Sequence, residues 1–371
     1  MMDLIEGFRN PSHIKALSAQ ISAQISRPIN IMEVCGGHTH TIMKFGIPQL
    51  LPDIIQFVHG PGCPVCIMPK ERIDAALALT SQDGVILATL GDMIRVPGST
   101  TSLQQLRADG ADIRALYSPL DVLKIAKENP EKMVVFFAIG FETTTPMSAG
   151  LIDRIIKEDI KNVKIHCNHV TVPEPMEAIM ADGDAKIDAF LGPSHVSVIT
   201  GSSMFEPLAE KFKTPIVVAG FEPVDVMESI LRIVRQINNG EAKVENQYAR
   251  AVTRDGNIHA KALIDKYFQK RPHFRWRGIG DIPKSALMLR PEFAHLDAEI
   301  CYENILPKEP IDDHKRCICG QILKGLAKPY DCKVFGKACK PSSPMGSCMV
   351  SSEGACAAYY KYGALLAKGA S

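Results

Sequence analysis

Short apolar stretches rich in Val and Ile recur up to about residue 240, each followed by Gly, Pro or a polar cluster and then by a segment with helical spacing. This rhythm predicts strands at 29–34, 54–60, 84–91, 133–140, 162–168, 189–192 and 215–220. Helices are predicted at 70–80, 119–130, 146–159, 173–183 and 223–240, several with Pro near the start. On the last of these, Val224, Met227, Ile230, Leu231, Val234 and Ile237 share one face, which should pack on a sheet. The fold class is therefore α/β, with βαβ units around parallel sheets. The alternation weakens at about 125–132 and ends near 240, so the expected division is 1–130, 131–240 and a smaller, cysteine-rich, mainly helical and irregular region at 241–371. "AIGFETTTP" (138–146) and "VAGFEPVD" (218–225) echo each other, as one sheet edge used twice would.

With 371 residues, each of these regions is large enough to bury a core, so size alone forces no disulfide or metal on the fold. A net charge of +1 argues against a global polyanion partner. The longest apolar run, 133–141, is too short for a bilayer, and the N-terminal stretch lacks a signal layout. A cytoplasmic protein is expected. The eleven cysteines are unevenly placed, with six between 317 and 356, which in a reducing compartment points to metal, iron-sulfur or redox work.

Open parallel sheets bind ligands at the carboxyl ends of their strands, so the sequels to the strands carry the chemistry. The first is "CGGHTHT" (35–41), where Cys35, His38 and His40 combine a thiolate with imidazoles, donors suited to iron or zinc. The alternative is a Gly-Gly turn with a buried cysteine and surface histidines. The second, "HGPGCPVC" (59–66), sets Cys63 and Cys66 before a helix, as a thioredoxin-like pair would be. No second nearby pair completes a zinc knuckle. If the two strands are neighbours, Cys35, Cys63, Cys66 and His38 converge on one crevice. "GFETTTP" (140–146) offers Glu142 and three threonines, read either as an anion or proton site or, for the threonines, as a helix cap. His166 reads as an interior histidine by strand parity, and His195 as a weaker candidate for the crevice.

"KYFQKRPHFRWRG" (266–278) interleaves cations and aromatics as RNA-contacting segments do, but in a near-neutral chain a solvated loop anchored by its aromatics is the better reading. The tail spaces its thiols C-x-C-x12-C-x6-C-x8-C-x7-C, which contains no zinc knuckle. Four-thiolate iron-sulfur sites tolerate irregular spacing, and six cysteines then leave a surplus pair for redox work.

Together, "CGGHTHT", "GPGCPVC", "GFETTTP" and "RCICG…DCKVFGKAC…GSCMVSSEGACAAYYKYG" resemble the HypD family of hydrogenase maturation factors over nearly the whole chain. The resemblance implies two α/β domains facing a cleft and a third holding a [4Fe-4S] cluster. It implies a scaffold, formed with the chaperone HypC, on which the Fe(CN)2CO unit of nickel-iron hydrogenase is assembled before HypC passes it to the hydrogenase large subunit. Cyanide would arrive as a thiocyanate on HypE, supplied by HypF. Carried over, Cys35 anchors the iron, with His38 beside it, and Cys63, Cys66 and Glu142 share the site. Cys317, Cys332, Cys339 and Cys356 hold the cluster, and Cys319 and Cys348 are the redox pair. The expected protein is a redox-active assembly scaffold with no free small-molecule turnover, monomeric within its complex, with neither nucleic acid nor membrane as partner. The alternative is a stand-alone iron-sulfur thiol-disulfide oxidoreductase.

Overall fold

The computed structural model describes residues 6–363. Two parallel sheets are formed by β1 Ile29–Glu33, β2 Ile55–His59, β3 Val85–Leu90, β4 Ile113–Leu116, β5 Met133–Gly140, β6 Val163–His169, β7 Ala189–Pro193, β8 Ile216–Ala219 and β9 Val244–Asn246. One runs β2-β1-β7-β8-β9 and the other β4-β3-β5-β6. Four short strands, β10 Phe268–Lys270, β11 His273–Trp276, β12 Gly280–Pro283 and β13 Leu287–Leu289, pair antiparallel as β10 with β13 and β11 with β12. Among the described residues no helix is long and apolar enough to cross a membrane.

The strands are apolar on both faces, as sheets covered on both sides require. On β5, Val135, Phe137 and Ile139 enter a core shared by both sheets and the tail, while Val134, Phe136 and Ala138 enter another that includes the helix Thr145–Lys157. The β1 residue Met32 turns to the shared core, and Ile31 turns to a third, under the helices Pro11–Gln24 and Pro223–Asn238. There the expected face of Val224, Met227, Ile230, Leu231 and Val234 is buried against Leu17 and Ile21.

The sheets do not divide at residue 130. One takes its strands from 29–59 and 189–246, and the other from 85–169, so the chain leaves the first sheet after β2 and returns to it at β7. Alternation along a sequence counts strands but does not say which sheet each joins. Nor does a separate unit begin at 241: β9 closes the first sheet, and Tyr267, Phe268, Leu287 and Leu289 pack under the second. The two Gly-Phe-Glu echoes likewise sit on different sheets, after β5 and after β8.

Each sheet starts inside and grows outward in both directions. The chain lays down β1, adds β2 on one side and later β7 on the other; β3 is flanked by β4 and β5 in the same way. Such switch points leave a crevice at the strands' carboxyl ends. The tail closes against the first sheet, where Lys328 Nζ donates to Gln56 Oε1 at 2.7 Å and Tyr359 reaches His59.

Candidate functional site

The two switch points open on one cavity. Cys35 follows β1, and Pro193 and His195 mark the end of β7; from the other sheet come Gly91 and Asp92 after β3, and Phe141, Thr143 and Thr144 after β5. The tail adds Ser351, Ser352 and Glu353 to the wall.

Cys35 is the N-cap of a helix, Gly36–Lys44, where a tight Gly-Gly turn was one expectation. The glycines serve close approach instead: a Cβ on Gly36 would overlap Glu353, and one on Gly37 would meet the Phe221 ring at 2.6 Å. The Gly37 and His38 amides favour a thiolate at Cys35, but burial first and then the Glu353 charge outweigh them and push the thiol up to about 12. In an unmetallated cleft it carries its proton.

His38, expected beside Cys35, does not line this cavity. Its ring is fully buried and stacked on Phe221 at 4.6 Å, with Nε2 held by Ala219 O (3.0 Å) and Gly220 O (3.2 Å). Its Nδ1 is buried and has no hydrogen-bond partner among the described residues. The imidazole that does face the cavity is His195, packed on Phe221 with ring centres 4.1 Å apart. Glu142 is likewise turned away. Its Oε1 accepts from Val172 N at 3.0 Å, its Oε2 has no partner among the described residues, and burial pushes the carboxyl up to about 7. The threonines make no side-chain cap: Thr144 and Thr145 hydroxyls donate back to Phe141 O at 3.2 and 3.0 Å. This leaves Thr143 and Thr144 as cleft wall.

Cys63 and Cys66 form a disulfide with Cα atoms 5.2 Å apart. They lie behind the cleft, in a small cavity with Gly36, Thr39, His59 and Glu353. Parallel pairing of Glu33 with His59 brings the two motifs side by side, and Gly62 rests on the Cys35 backbone where no Cβ would fit. A buried chain that the sequence reading missed runs through this region. The Thr39 hydroxyl donates to Glu33 Oε1 at 2.5 Å, the same carboxylate holds His59 Nδ1, and His59 Nε2 lies 3.0 Å from Tyr359 OH. On the other side, the Ser347 hydroxyl donates to Cys66 O at 2.6 Å, so the disulfide abuts the residue before Cys348.

In the tail, Cys317, Cys319, Cys332, Cys339 and Cys356 line one cavity with Ile318, Ile322, Val334, Phe335 and Met349. Cys348 is wholly buried and is hydrogen-bonded to Cys319, whose thiol also meets those of Cys317 and Cys356. Met345 N–H points at Cys339 Sγ (3.4 Å), and a Cβ on Gly346 would crowd Cys317 Sγ at 2.7 Å. Thiolates in an apolar shell with an amide directed at sulfur suit a [4Fe-4S] group. Among the described residues, no three His, Cys, Asp or Glu side chains are grouped so as to hold a single metal ion.

The cation-aromatic stretch is not a solvated loop. Tyr267, Phe268, Phe274 and Trp276 are buried, while Arg271 pairs with Glu299 at 2.6 Å and Arg275 with Asp312 at 2.7 Å. His166 is interior, edge-on to Phe137.

The HypD family, described as the hydrogenase formation hypA family, matches residues 12–363. The hydrogenase maturation factor HypD of Azotobacter vinelandii is 49% identical over 370 residues, covering 98% of this chain and 97% of the relative. Those of Cupriavidus necator and Escherichia coli are 48% and 44% identical, each covering 98% of this chain, and 97% and 95% of the relatives. With the family's cysteine motifs brought together around one cleft and one tail cavity, the chain belongs to the HypD family of hydrogenase maturation factors.

Proposed function

We propose that this maturation factor is the scaffold on which the Fe(CN)2CO unit is assembled, with Cys35 as the iron ligand that the chain contributes. The position of Cys35 carries the reading: among the described residues it is the one thiol lining the cavity between the two switch points. Iron entering the cleft displaces the thiol proton, which the binding of a metal to any protonated thiol requires. Glu353 faces the same cavity and is the carboxylate whose charge acts most on the thiol, which makes it the proton acceptor in this reading. The remaining ligands come from cyanide, carbonyl and the N-terminal cysteine of HypC, which then passes the unit to the hydrogenase large subunit in the cytoplasm.

Cyanide arrives on HypE as a thiocyanate that HypF has supplied. Release breaks its S–C bond and needs two electrons. The dithiol form of Cys63 and Cys66 provides them and becomes the disulfide, one proton going to the departing HypE cysteine and the other leaving with the cyanide. A [4Fe-4S] cluster held by Cys317, Cys332, Cys339 and Cys356 would supply single electrons in the tail. Cys319 and Cys348, in contact there, are the second thiol pair.

The test is Cys35→Ala in the complex with HypC. The cyanide and carbonyl infrared bands should vanish while the tail's iron-sulfur absorption persists; bands that survive would overturn the assignment. A stand-alone thiol oxidoreductase would instead turn over small disulfides with no partner present.

A further inference from the structure

The tail carries a charge that the chain as a whole does not. Residues 315–340 hold seven lysines and arginines against one carboxylate, Asp331, a net of +6 in a chain whose total is +1. Two of the seven are engaged, Lys324 with Asp182 and Lys328 with Gln56. The side chains of Lys315, Arg316, Lys333, Lys337 and Lys340 have no partner among the described residues, and all but the half-buried Lys340 are exposed. The nearest carboxylates upstream, Asp312 and Asp313, pair with Arg275 and Arg277 and leave this charge standing.

The free cations border the open side of the thiol cavity. Arg316, Lys333 and Lys340 each adjoin in sequence a cysteine that lines it, Cys317, Cys332 and Cys339. Cys332 Sγ lies 3.9 Å from Arg316 O, which brings two of these segments together. Cys317 and Cys332 are partly exposed, whereas Cys319, Cys339, Cys348 and Cys356 are buried, so the cavity comes nearest to solvent where the cations stand. Beside Cys332 is an apolar anchor. Tyr330 is 52% exposed and lies edge-on to Phe335 at 5.5 Å, and Phe335 lines the thiol cavity. An exposed aromatic within a charged rim is the anatomy of a protein docking face.

We propose that this face docks a small, acidic one-electron carrier protein that delivers electrons to the tail. The proposal rests on the reading of the tail as a [4Fe-4S] seat and adds the partner which that reading needs: reductive release of cyanide consumes two electrons, so a donor must recharge the protein. Complementary charge steers such an encounter and fixes its register. In each docking event the carrier is oxidised by one electron and the cluster reduced by one, with no bond made or broken. Two events supply the electron pair that, with two protons from solvent, returns the Cys63–Cys66 disulfide to the dithiol.

The test mixes the full-length, cluster-loaded protein anaerobically with reduced flavodoxin, an acidic flavin carrier whose semiquinone reports the electron it gives up. Calorimetry with oxidised flavodoxin measures the affinity separately. Lys333→Glu combined with Lys337→Glu should lower the second-order rate constant about tenfold to a hundredfold at low ionic strength and weaken its salt dependence. The neutral pair Lys333→Gln and Lys337→Gln should fall between that variant and wild type. Dithionite should bleach the tail's absorption to the same extent in all three proteins, which shows that the seat itself is intact. If dithionite reduces no cluster in wild type, the iron-sulfur reading fails and the proposal with it. If dithionite reduces the cluster but flavodoxin's rate and affinity are the same in wild type and both double variants, the docking face alone is overturned. It is overturned as well if a short RNA duplex binds the face more tightly than flavodoxin at physiological salt and displaces it.

Discussion

The cleft and the tail set the same side chain in opposite surroundings. Cys35 stands alone on a largely apolar wall that also carries two carboxylates, Asp92 and Glu353, and burial and then the Glu353 charge hold its thiol up at about 12. In the tail, five thiols share an apolar cavity near the buried Arg277, and a hydrogen bond from Cys319 brings Cys317 down to about 7. A thiol that keeps its proton until a cation displaces it, and can take it back, suits a cargo that enters and leaves. Closely spaced thiols with apolar walls and an amide aimed at sulfur suit a group that stays. On the proposed function, iron chemistry would be divided between a docking wall and a permanent seat, and the difference would lie in what surrounds each sulfur.

The strongest way to break the comparison is to separate the two regions. They are joined through the Glu33–His59–Tyr359 chain, which links the ends of β1 and β2 to the tail helix Ala355–Tyr362. His59→Ala leaves the fully buried Glu33 carboxyl without its main partner. Losing one member of a buried pair costs about 3–5 kcal/mol. Tyr359→Phe keeps the ring edge-on to His59 and removes only the 3.0 Å contact, so its cost should be about 1–3 kcal/mol, that of one buried group left unsatisfied. Urea midpoints check both values. If His59→Ala unfolds no earlier than Tyr359→Phe, the tail is held by apolar packing and the bridge is incidental.

This bridge also marks where the sequence stops being legible. Long apolar runs are self-evident: β5 occupies 133–140 and the helix Lys70–Thr80 occupies 70–80, as their patterns predict. Short, polar edge strands are not. In β4 Arg114 interrupts the apolar pattern, and β9 is three half-buried residues. The helix at Gly36–Lys44 is hidden by two poor helix formers that are there because Glu353 and Phe221 leave no room for a Cβ. Cys35 is visible as a candidate, but His38 and Glu142 look equally eligible until the structure turns both away from the cavity. His59 and Tyr359 are 300 positions apart, and nothing local to either announces the other.

The next largest effect concerns the wall that β5 contributes to the cleft. Glu142 sits behind it, and burial raises its carboxyl from an ordinary 4.5 to about 7. The folded protein therefore holds a proton that the unfolded chain gives up at lower pH. The stability associated with this group is fully present below pH 4.5, declines as pH rises, and is lost above about 7. At about 1.4 kcal/mol per unit, the shift corresponds to roughly 3 kcal/mol. Glu142→Gln keeps an oxygen for the Val172 amide and cannot ionise. Its stability relative to wild type should rise between pH 5 and 8, by at most about 3 kcal/mol, as read from denaturation midpoints across that range. A constant difference at all pH values would mean that Glu142 is already ionised in the fold.

The smallest effect goes to the centre of the contrast. If negative surroundings help to keep the Cys35 proton in place, Glu353→Gln should lower the thiol's pKa without altering its shape or its approach to Gly36. Burial is the larger cause and remains, so only part of the elevation is lost. A fall of one unit multiplies the thiolate present at neutral pH by about ten, which sets the upper bound on the gain in alkylation rate. Cys301, exposed and free, is the internal reference and should react as in wild type. Because Gln is nearly isosteric with Glu, a faster Cys35 with an unchanged Cys301 reports charge and not a loosened wall. Equal rates in wild type and variant would mean that burial alone holds the proton, and the cleft would then differ from the tail in the number of its thiols and not in the sign of its surroundings.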